Sequence, residues 1–176
     1  MSDWERVEPA VALDAKYPEW LLFLVTHDGA GRHNLMPAGW AMQAAEEPPM
    51  LAVALRAARY SLQQVRATRE FAVGFAGPEQ VELITWAGTR SGADLDKFAA
   101  AGLGWSPGVA TGCALVDGCA AMYECRLAGE LAAGDHVIVT GEVLAAHRAA
   151  PPLANLVNFG GWYAPATPAW PHPPEA

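Results

Sequence analysis

The stretch "AAMYECRLAGELAAGDHVIVTGEVLAAH", residues 120–147, decides the fold class of this chain. It contains two long segments with the composition of β-strands, and these are joined at Gly134, where a turn is expected. No helical pattern interrupts them. The second half of the chain is therefore predicted to be β-structure.

The first half adds more strands and a few short helices. Residues 20–42, "WLLFLVTHDGAGRHNLMPAGWAM", combine two apolar runs with a turn that contains two glycines, which is typical of a β-hairpin. Further strands are predicted for Met50–Leu55 and for "EFAVGFAG" at residues 70–77. Short helices are predicted after an N-cap at Ser61, over residues 78–88 and over residues 93–103.

These elements predict a mainly β fold. Regular βαβ alternation is absent, which argues against a doubly wound sheet, and no G-x-G-x-x-G follows a strand. The length of 176 residues and the 52% of hydrophobic residues suit one domain with a sizeable core, expected over residues 1–164. The proline-rich residues 165–176 are predicted to form an extended or disordered tail.

Charge and cysteine content limit the partners. A net charge of −8 and a sequence pI of about 5.0 disfavour non-specific binding to nucleic acid or to anionic membranes. The longest apolar runs are far shorter than the roughly 20 residues that cross a bilayer. Three cysteines cannot all pair within one chain, and the amino terminus lacks a signal-peptide pattern, so a cytoplasmic location is expected.

Metal and hydrolase chemistry are disfavoured. The histidines at 27, 33, 136 and 147 and the cysteines at 113, 119 and 125 include no C-x-x-C or H-x-x-x-H pair, so no metal site is predicted. Cys119 and Cys125 are an even number of residues apart, and in one strand they are expected to pack on the same face. No G-x-S-x-G elbow is present.

Two segments have the composition of an anion site. In "RYSLQQV" a hydroxyl at Ser61 follows Arg59 at a predicted helix start, where unpaired backbone amides favour an anion. In "TRSGADLDKF", residues 89–98, hydroxyls and a glycine precede Lys97. The alternative is that Ser61 and Ser91 only cap helices while Arg59 and Lys97 are solvated charges. Composition leaves both interpretations open.

A resemblance to a known family favours the first interpretation. The succession "NLMPAGWAM", "PPMLAVAL", "ARYSLQQV", "EFAVGF", "GTRSGADLDKF", "YECRL", "GDHVIVTGEVLAAH" and "NFGGWY" resembles the flavin reductase-like family of FMN-binding split barrels, which includes the flavoredoxins. The match covers about residues 15–163. It implies a six-stranded Greek-key split barrel with peripheral helices, and a homodimer that binds FMN near the subunit interface.

The resemblance also implies site residues. The positions beside the flavin ring and the ribityl chain would be Asn34, Met36, Pro37, Ala38, Gly39 and Trp40. Those at the phosphate end would be Leu55, Arg59, Tyr60, Ser61, Thr89, Ser91, Gly92, Lys97 and Phe98. Pro37 departs from the family, whose members often carry Thr or Ser there, so a hydroxyl contact is lost.

The implied activity is hydride transfer from NADH or NADPH to bound FMN. Gly134, Asp135 and His136 match a family "GDH" element near the nicotinamide approach, where His136 would orient the donor; alternatively they form only a turn and a strand start. An electron-transfer protein or a monooxygenase is expected as a partner. Two other functions stay open, namely a flavoredoxin-like carrier reduced by a protein and a non-catalytic small-ligand binder.

Overall fold

The computed structural model describes residues 5–166, and it is mainly β as predicted. The helices are α1 (Pro9–Ala12), α2 (Tyr60–Thr68), α3 (Val81–Gly88) and α4 (Lys97–Ala101), with 3₁₀ turns at Leu13–Lys16 and Pro78–Gln80. The strands are β1 (Glu19–Trp20), β2 (Leu22–His27), β3 (His33–Ala38), β4 (Ala41–Ala45), β5 (Met50–Arg56), β6 (Glu70–Ala76), β7 (Trp105–Pro107), β8 (Ala114–Val116), β9 (Cys119–Ala133), β10 (His136–Arg148), β11 (Asn155–Asn158) and β12 (Tyr163–Ala166).

The main sheet closes on itself. Its seven antiparallel strands run in the order β3-β2-β6-β9-β10-β5-β4, one strand more than the six expected. A flat sheet of this width would separate its edge strands by about 29 Å. However, β3 and β4 are joined only by Gly39 and Trp40, a link that reaches about 11 Å at most. The sheet must therefore curl until its edges meet, which gives a split barrel.

The core lies on both faces of this sheet. Leu22 and Leu24 of β2 join a cluster with residues of β5, β6, β9, β10 and α2, which fills the barrel. Phe23 and Val25 point the other way, into a cluster with residues of α3, α4 and β8. Strand β2 is thus buried on both faces, which explains its continuous apolar run. Helix α2 closes the barrel, and α3 and α4 cover its outside.

Two predicted helix starts are wrong. Helix α2 begins at Tyr60 with Arg59 in the N-cap position, so Ser61 lies inside the first turn and does not cap it. Helix α4 covers only part of the predicted 93–103, because Asp96 caps it by accepting a hydrogen bond from the Ala99 amide at 3.0 Å. Gly102 ends α4 in the left-handed conformation, with a φ of +59°.

The expectation that Cys119 and Cys125 share a face is also wrong. Cys119 packs in the outer cluster, whereas Cys125 packs inside the barrel. The pairing of β6 with β9 shifts register between Phe75 and Ala76, so an extra residue of β9 reverses the face that each later side chain occupies. Both thiols are buried and free, and burial raises the pKa of each to about 12.

The predicted tail boundary falls inside a strand, because β12 extends to Ala166 and pairs with β11. The rest of the predicted tail, residues 167–176, lies outside the described residues. Across residues 5–166, no helix has both the length and the apolar character needed to span a membrane.

A buried carboxylate fixes the β7–β8 connection to the barrel. Glu124 of β9 is fully buried and accepts hydrogen bonds from the amides of Val109, Ala110 and Thr111 at 2.7–3.0 Å. The Thr111 hydroxyl and His147 Nε2 complete its partners at 2.9 and 2.8 Å. Burial raises the pKa of Glu124, but these hydrogen bonds outweigh burial and lower the pKa to about 2.

We predict that Glu124→Gln destabilises the protein by roughly 3 kcal/mol at neutral pH, because an amide cannot accept all of these bonds. Since the pKa of Glu124 in the folded protein lies below its ordinary value, the ionised carboxylate stabilises the fold fully above about pH 4.5. This stabilisation is lost as the pH falls towards 2. Urea unfolding of both proteins at pH 7 and pH 3 measures this. The difference between them should shrink at pH 3.

Glu142→Gln is the matched control. Glu142 forms an exposed ion pair with Arg126 at 2.8 Å, so its loss should cost less than about 1 kcal/mol. Equal destabilisation by the two substitutions would contradict the conclusion that Glu124 holds the β7–β8 connection to the barrel.

Candidate functional site

Two adjoining cavities lie where β3, β5 and α2 meet. The first has a volume of about 250 Å³ and lies between β3, the start of α2, the end of α3 and the segment 88–92. The second, of about 220 Å³, lies between the ends of β3 and β5 and the start of β10. Met36 and Arg59 line both, so the two cavities form one continuous cleft.

A buried polar network forms one wall of the first cavity. Asn34 is only 3% exposed, and its Nδ2 donates to Ser61 Oγ at 2.9 Å and to Thr26 Oγ1 at 3.2 Å. Thr26 in turn donates to Gln64 at 2.5 Å. Both amide hydrogens of Asn34 are thus used, while its Oδ1 is buried without a partner. An unpaired buried acceptor is unfavourable unless a ligand or water supplies a donor.

Gly92 lies directly against this network. A Cβ at position 92 would be 2.1 Å from Asn34 Oδ1 and 3.2 Å from the Asn34 Cβ. The segment is held there by Arg32, whose Nη2 donates to the Gly92 carbonyl at 2.8 Å. A glycine is therefore needed for the close approach of this backbone to Asn34.

Lys97 is buried, contrary to the interpretation of it as a solvated charge. Its side chain is on the first cavity, the residue is 2% exposed, and its Nζ donates to the carbonyls of Leu35 at 2.9 Å and Ala87 at 2.8 Å. Burial, and secondly the charge of Arg59, lower the pKa of Lys97 to about 8. An ammonium has three donors, so one remains for a ligand.

His136 and Trp40 form one side of the second cavity. Their ring centroids are 4.8 Å apart with planes inclined by 38°, and Trp40 also lies under the ammonium of Lys16 at 5.3 Å. His136 Nδ1 is hydrogen-bonded to Asp135 Oδ1 at 2.6 Å. The His136 ring is therefore held from two sides.

The structure brings together all but one of the residues predicted for cofactor binding. The residues on the first cavity are Asn34, Met36, Arg59, Tyr60, Ser61, Thr89, Ser91, Gly92 and Lys97. Those on the second include Pro37, Ala38, Gly39, Trp40 and Leu55, together with His136. Ser91 does not cap α4; its Oγ accepts from the Ala93 amide at 3.2 Å.

Phe98 is the exception. It is 6% exposed and packs in the outer core, with its ring centroid 5.6 Å from His33 and 6.3 Å from Trp105. It lies next to Lys97 in a helix, so the two side chains point in different directions. Phe98 is thus a core residue that supports α4 and is not among the residues lining either cavity.

Sequence reasoning missed two arginines at the cleft. Arg90 lines the first cavity, where it donates to the Trp86 carbonyl at 2.9 Å and stacks 4.8 Å above the Trp86 ring. Arg56 lines the second cavity. Arg90 lies inside residues 89–98, which already indicated an anion site, so its charge was a usable signal, whereas Arg56 lies outside both of those segments. Ala54, Ala58, Ala87 and Gly88 also line the cleft, and their small side chains give no such signal.

The sequence model of the family described as "Flavin reductase like domain" matches residues 15–167 of this chain. The chain belongs to this family. An FMN reductase (NADH), RutF, from Stutzerimonas stutzeri is 32% identical over 140 residues, which span 80% of this chain and 78% of that protein.

Solved structures agree with the family's fold. An FMN-binding protein from Thermus thermophilus with bound p-hydroxybenzaldehyde has a TM-score of 0.82 and 25% identity, over 98% of this chain and 100% of its own. A flavoredoxin from Methanosarcina acetivorans has a TM-score of 0.83 and 21% identity, over 97% and 95% of the two chains.

We predict that Gly92→Ala destabilises the protein by about 1–3 kcal/mol, the usual range for an overpacked site, because Asn34 is pinned and cannot move aside. Gly88→Ala is the matched control on the same cavity, since its new Cβ would meet only the Pro37 Cγ at 3.7 Å. It should change stability by less than about 0.5 kcal/mol. Thermal melts of the parent and the two variants measure the change in stability. Equal melting temperatures would contradict the close approach of the Gly92 backbone to Asn34.

Proposed function

We propose that this chain binds FMN along the cleft and transfers hydride from NADH or NADPH to it, passing electrons onward to an acceptor. The observation that carries the proposal is a cavity with Asn34, Ser61, Arg59 and Lys97 on its walls, where Asn34 Oδ1 is buried without a partner. A ligand that fits would offer an O–H or N–H donor close to an anionic group. The ribityl chain and phosphate of FMN offer both.

The first cavity suits the phosphate end. Lys97 has one N–H left after its two carbonyl bonds, and Arg59 lies close enough to lower the Lys97 pKa. The first amides of α2 lack intrahelical acceptors, as at every helix start. Together these groups would hold a phosphate, while Asn34 Oδ1 would accept from a ribityl hydroxyl.

The second cavity suits the flavin ring. Pro37 and Trp40 supply apolar surface, and His136 supplies a polar group beside it. Bound FMN would supply the redox chemistry itself, by accepting hydride and donating electrons. The residues of the chain would bind the FMN and orient it, and His136 would orient the nicotinamide donor. The NADH dependence stated in the name of the related RutF protein supports this choice of donor.

A homodimer is part of the proposal. Four neighbouring residues form a row across the outer face of the sheet. They are Trp40 just before β4, Ala54 of β5, Ile138 of β10 and Leu131 of β9. Trp40 is 50% exposed and Leu131 64%, and Met42 in the next row is 64% exposed. An apolar groove of about 530 Å³ adjoins this face. A second copy would cover it and complete the open side of the cleft. The reduced flavin would serve an electron-transfer protein or a monooxygenase.

A visible spectrum and a reduction experiment test the function. We expect the purified protein to be yellow or to become yellow with FMN, and to bind FMN at least about 10-fold more tightly than riboflavin because the phosphate gains charge-assisted bonds. NADH or NADPH, mixed anaerobically in a stopped-flow instrument, should bleach the bound FMN. Light scattering on the same sample should give twice the chain mass of 18.6 kDa.

Other outcomes identify the alternatives. Bound FMN that neither nucleotide bleaches would indicate a carrier reduced by a protein partner. A colourless protein that does not bind added FMN would indicate a ligand binder of another kind. Equal affinity for riboflavin and FMN would contradict the phosphate role of the first cavity.

The FMN affinity should also depend on pH through Lys97. Because the pKa of Lys97 in the flavin-free protein is about 8, its side chain is mostly protonated at pH 7 and loses its charge as the pH rises through 8. FMN should therefore bind more weakly at pH 9.5 than at pH 7. Lys97→Met should weaken FMN binding at pH 7 by about 10-fold or more. It should also flatten this pH dependence. Fluorescence titration of FMN measures both.

Lys16→Met is the control, since Lys16 is the only other lysine of the chain and does not line the first cavity. It should keep the pH dependence of the parent. Lys97→Met should in addition lower the melting temperature, because the carbonyls of Leu35 and Ala87 lose their donor. A Lys97→Met protein with the affinity and pH dependence of the parent would contradict the contact with phosphate.

A further inference from the structure

Asp135 holds the imidazole of His136 at the rim of the second cavity. It occupies the tight turn between β9 and β10, where Gly134 has a φ of +62° that favours glycine. Asp135 Oδ1 is 2.6 Å from His136 Nδ1, and its Oδ2 is 3.6 Å from Arg56 Nη1. Arg56 and His136 are paired across β5 and β10. One carboxylate oxygen is therefore hydrogen-bonded to His136, and the other forms an exposed ion pair with Arg56.

This contact determines where the proton of His136 lies. The hydrogen bond from His136, and then the charges of His136 and Arg56, lower the pKa of Asp135, so the group is a carboxylate at neutral pH. A carboxylate only accepts hydrogen bonds, so Nδ1 must carry a hydrogen to make the observed contact. In a neutral ring Nε2 is then the acceptor nitrogen. Within the described residues, Nε2 makes no hydrogen bond.

The ring is also fixed in direction. Trp40 stacks on it at 4.8 Å, and the His136 side chain is only 14% exposed. Both rings line the second cavity. The ring that carries Nε2 lines the cavity, and the lone pair on Nε2 can bind only a ligand that brings an N–H or an O–H.

We propose that Asp135 is a positioning residue that keeps the His136 proton on Nδ1, so that Nε2 accepts a hydrogen bond from the carboxamide N–H of the nicotinamide donor. This inference rests on the function proposed above, because it assumes a nicotinamide donor. It adds to that function the tautomer of His136 and a role for the acidic residue beside it. Asp135 itself touches neither the donor nor the flavin in this assignment.

The tautomer can be measured without any turnover. Long-range ¹H–¹⁵N spectra of the FMN-loaded protein at about pH 9, where ordinary imidazoles are neutral, distinguish a protonated Nδ1 from a protonated Nε2. His136→Gln identifies the signals of His136. We expect a protonated Nδ1 in the parent, a shift of the proton towards Nε2 in Asp135→Ala, and recovery of the parent pattern in Asp135→Glu.

The binding consequence is measured on the same proteins. We expect the dissociation constant of the oxidised nicotinamide dinucleotide, titrated by calorimetry into FMN-loaded protein, to rise about 3- to 10-fold in Asp135→Ala, as for one lost hydrogen bond. The affinity for FMN should change less than twofold. Glu142→Ala removes another exposed carboxylate of β10, outside the cleft, and should leave both affinities at the parent values.

The outcomes separate the two proposals. If neither nucleotide bleaches bound FMN in the parent, the proposed function fails, whatever the tautomer. If the parent is bleached but Asp135→Ala keeps a protonated Nδ1, Asp135 does not position the ring and the inference is overturned. A changed tautomer with unchanged dinucleotide affinity overturns the role of Nε2 as the acceptor of the carboxamide.

Discussion

The two-residue link between β3 and β4 is the constraint on which the rest of the structure depends. Because these strands are the two edges of the main sheet, Gly39 and Trp40 can join them only if the sheet is closed into a barrel. Closure brings the end of β3 beside the end of β5 and the start of β10. Those three strand ends form the second cavity, and the link itself supplies Gly39 and Trp40 to its lining. The same short connection thus determines both the fold and the cleft.

Closure also explains why the polar groups of the cleft are so firmly held. The barrel interior is filled with aliphatic and aromatic side chains and is capped by α2. The polar residues lie at the rim, where each contacts backbone or side chains from distant parts of the chain. Asn34 binds Ser61, and Lys97 binds the carbonyls of β3 and α3. These hydrogen bonds are already formed without a ligand, and side chains held in this way lose less entropy on binding.

The sequence predicted β2, β3, β5, β6, β9 and β10, because the signals of these strands are local. Apolar alternation and turn glycines identified the β2–β3 hairpin and the long β9–β10 hairpin to within a few residues. The helix caps were predicted less well. The Ser61 hydroxyl, predicted as an N-cap, accepts from Asn34, 27 residues earlier, and Asp96 caps the helix for which Ser91 was one possible cap.

Side-chain direction was the least predictable property. One extra residue in β9 placed Cys119 and Cys125 in different clusters, and a bulge of this kind leaves no mark in the alternation itself. Lys97 and Phe98 were both expected at the cleft, but neighbouring positions of a helix cannot share a direction. Only Lys97 faces the cavity. The resemblance to the family found the segments of the site, whereas the assignment of each side chain required the structure.

Pro37 fits the shape of the cleft, although the resemblance implies Thr or Ser at this position. Proline has no N–H to donate, which an edge strand such as β3 tolerates better than a central one. Its ring carbon lies 3.7 Å from the position that a Cβ on Gly88 would occupy, so it packs beside the end of α3. Pro37 therefore offers a rigid apolar surface in place of a hydroxyl. Polar contacts on this side of the cleft must then come from Asn34 and from backbone groups, which increases the importance of the unpaired Asn34 oxygen.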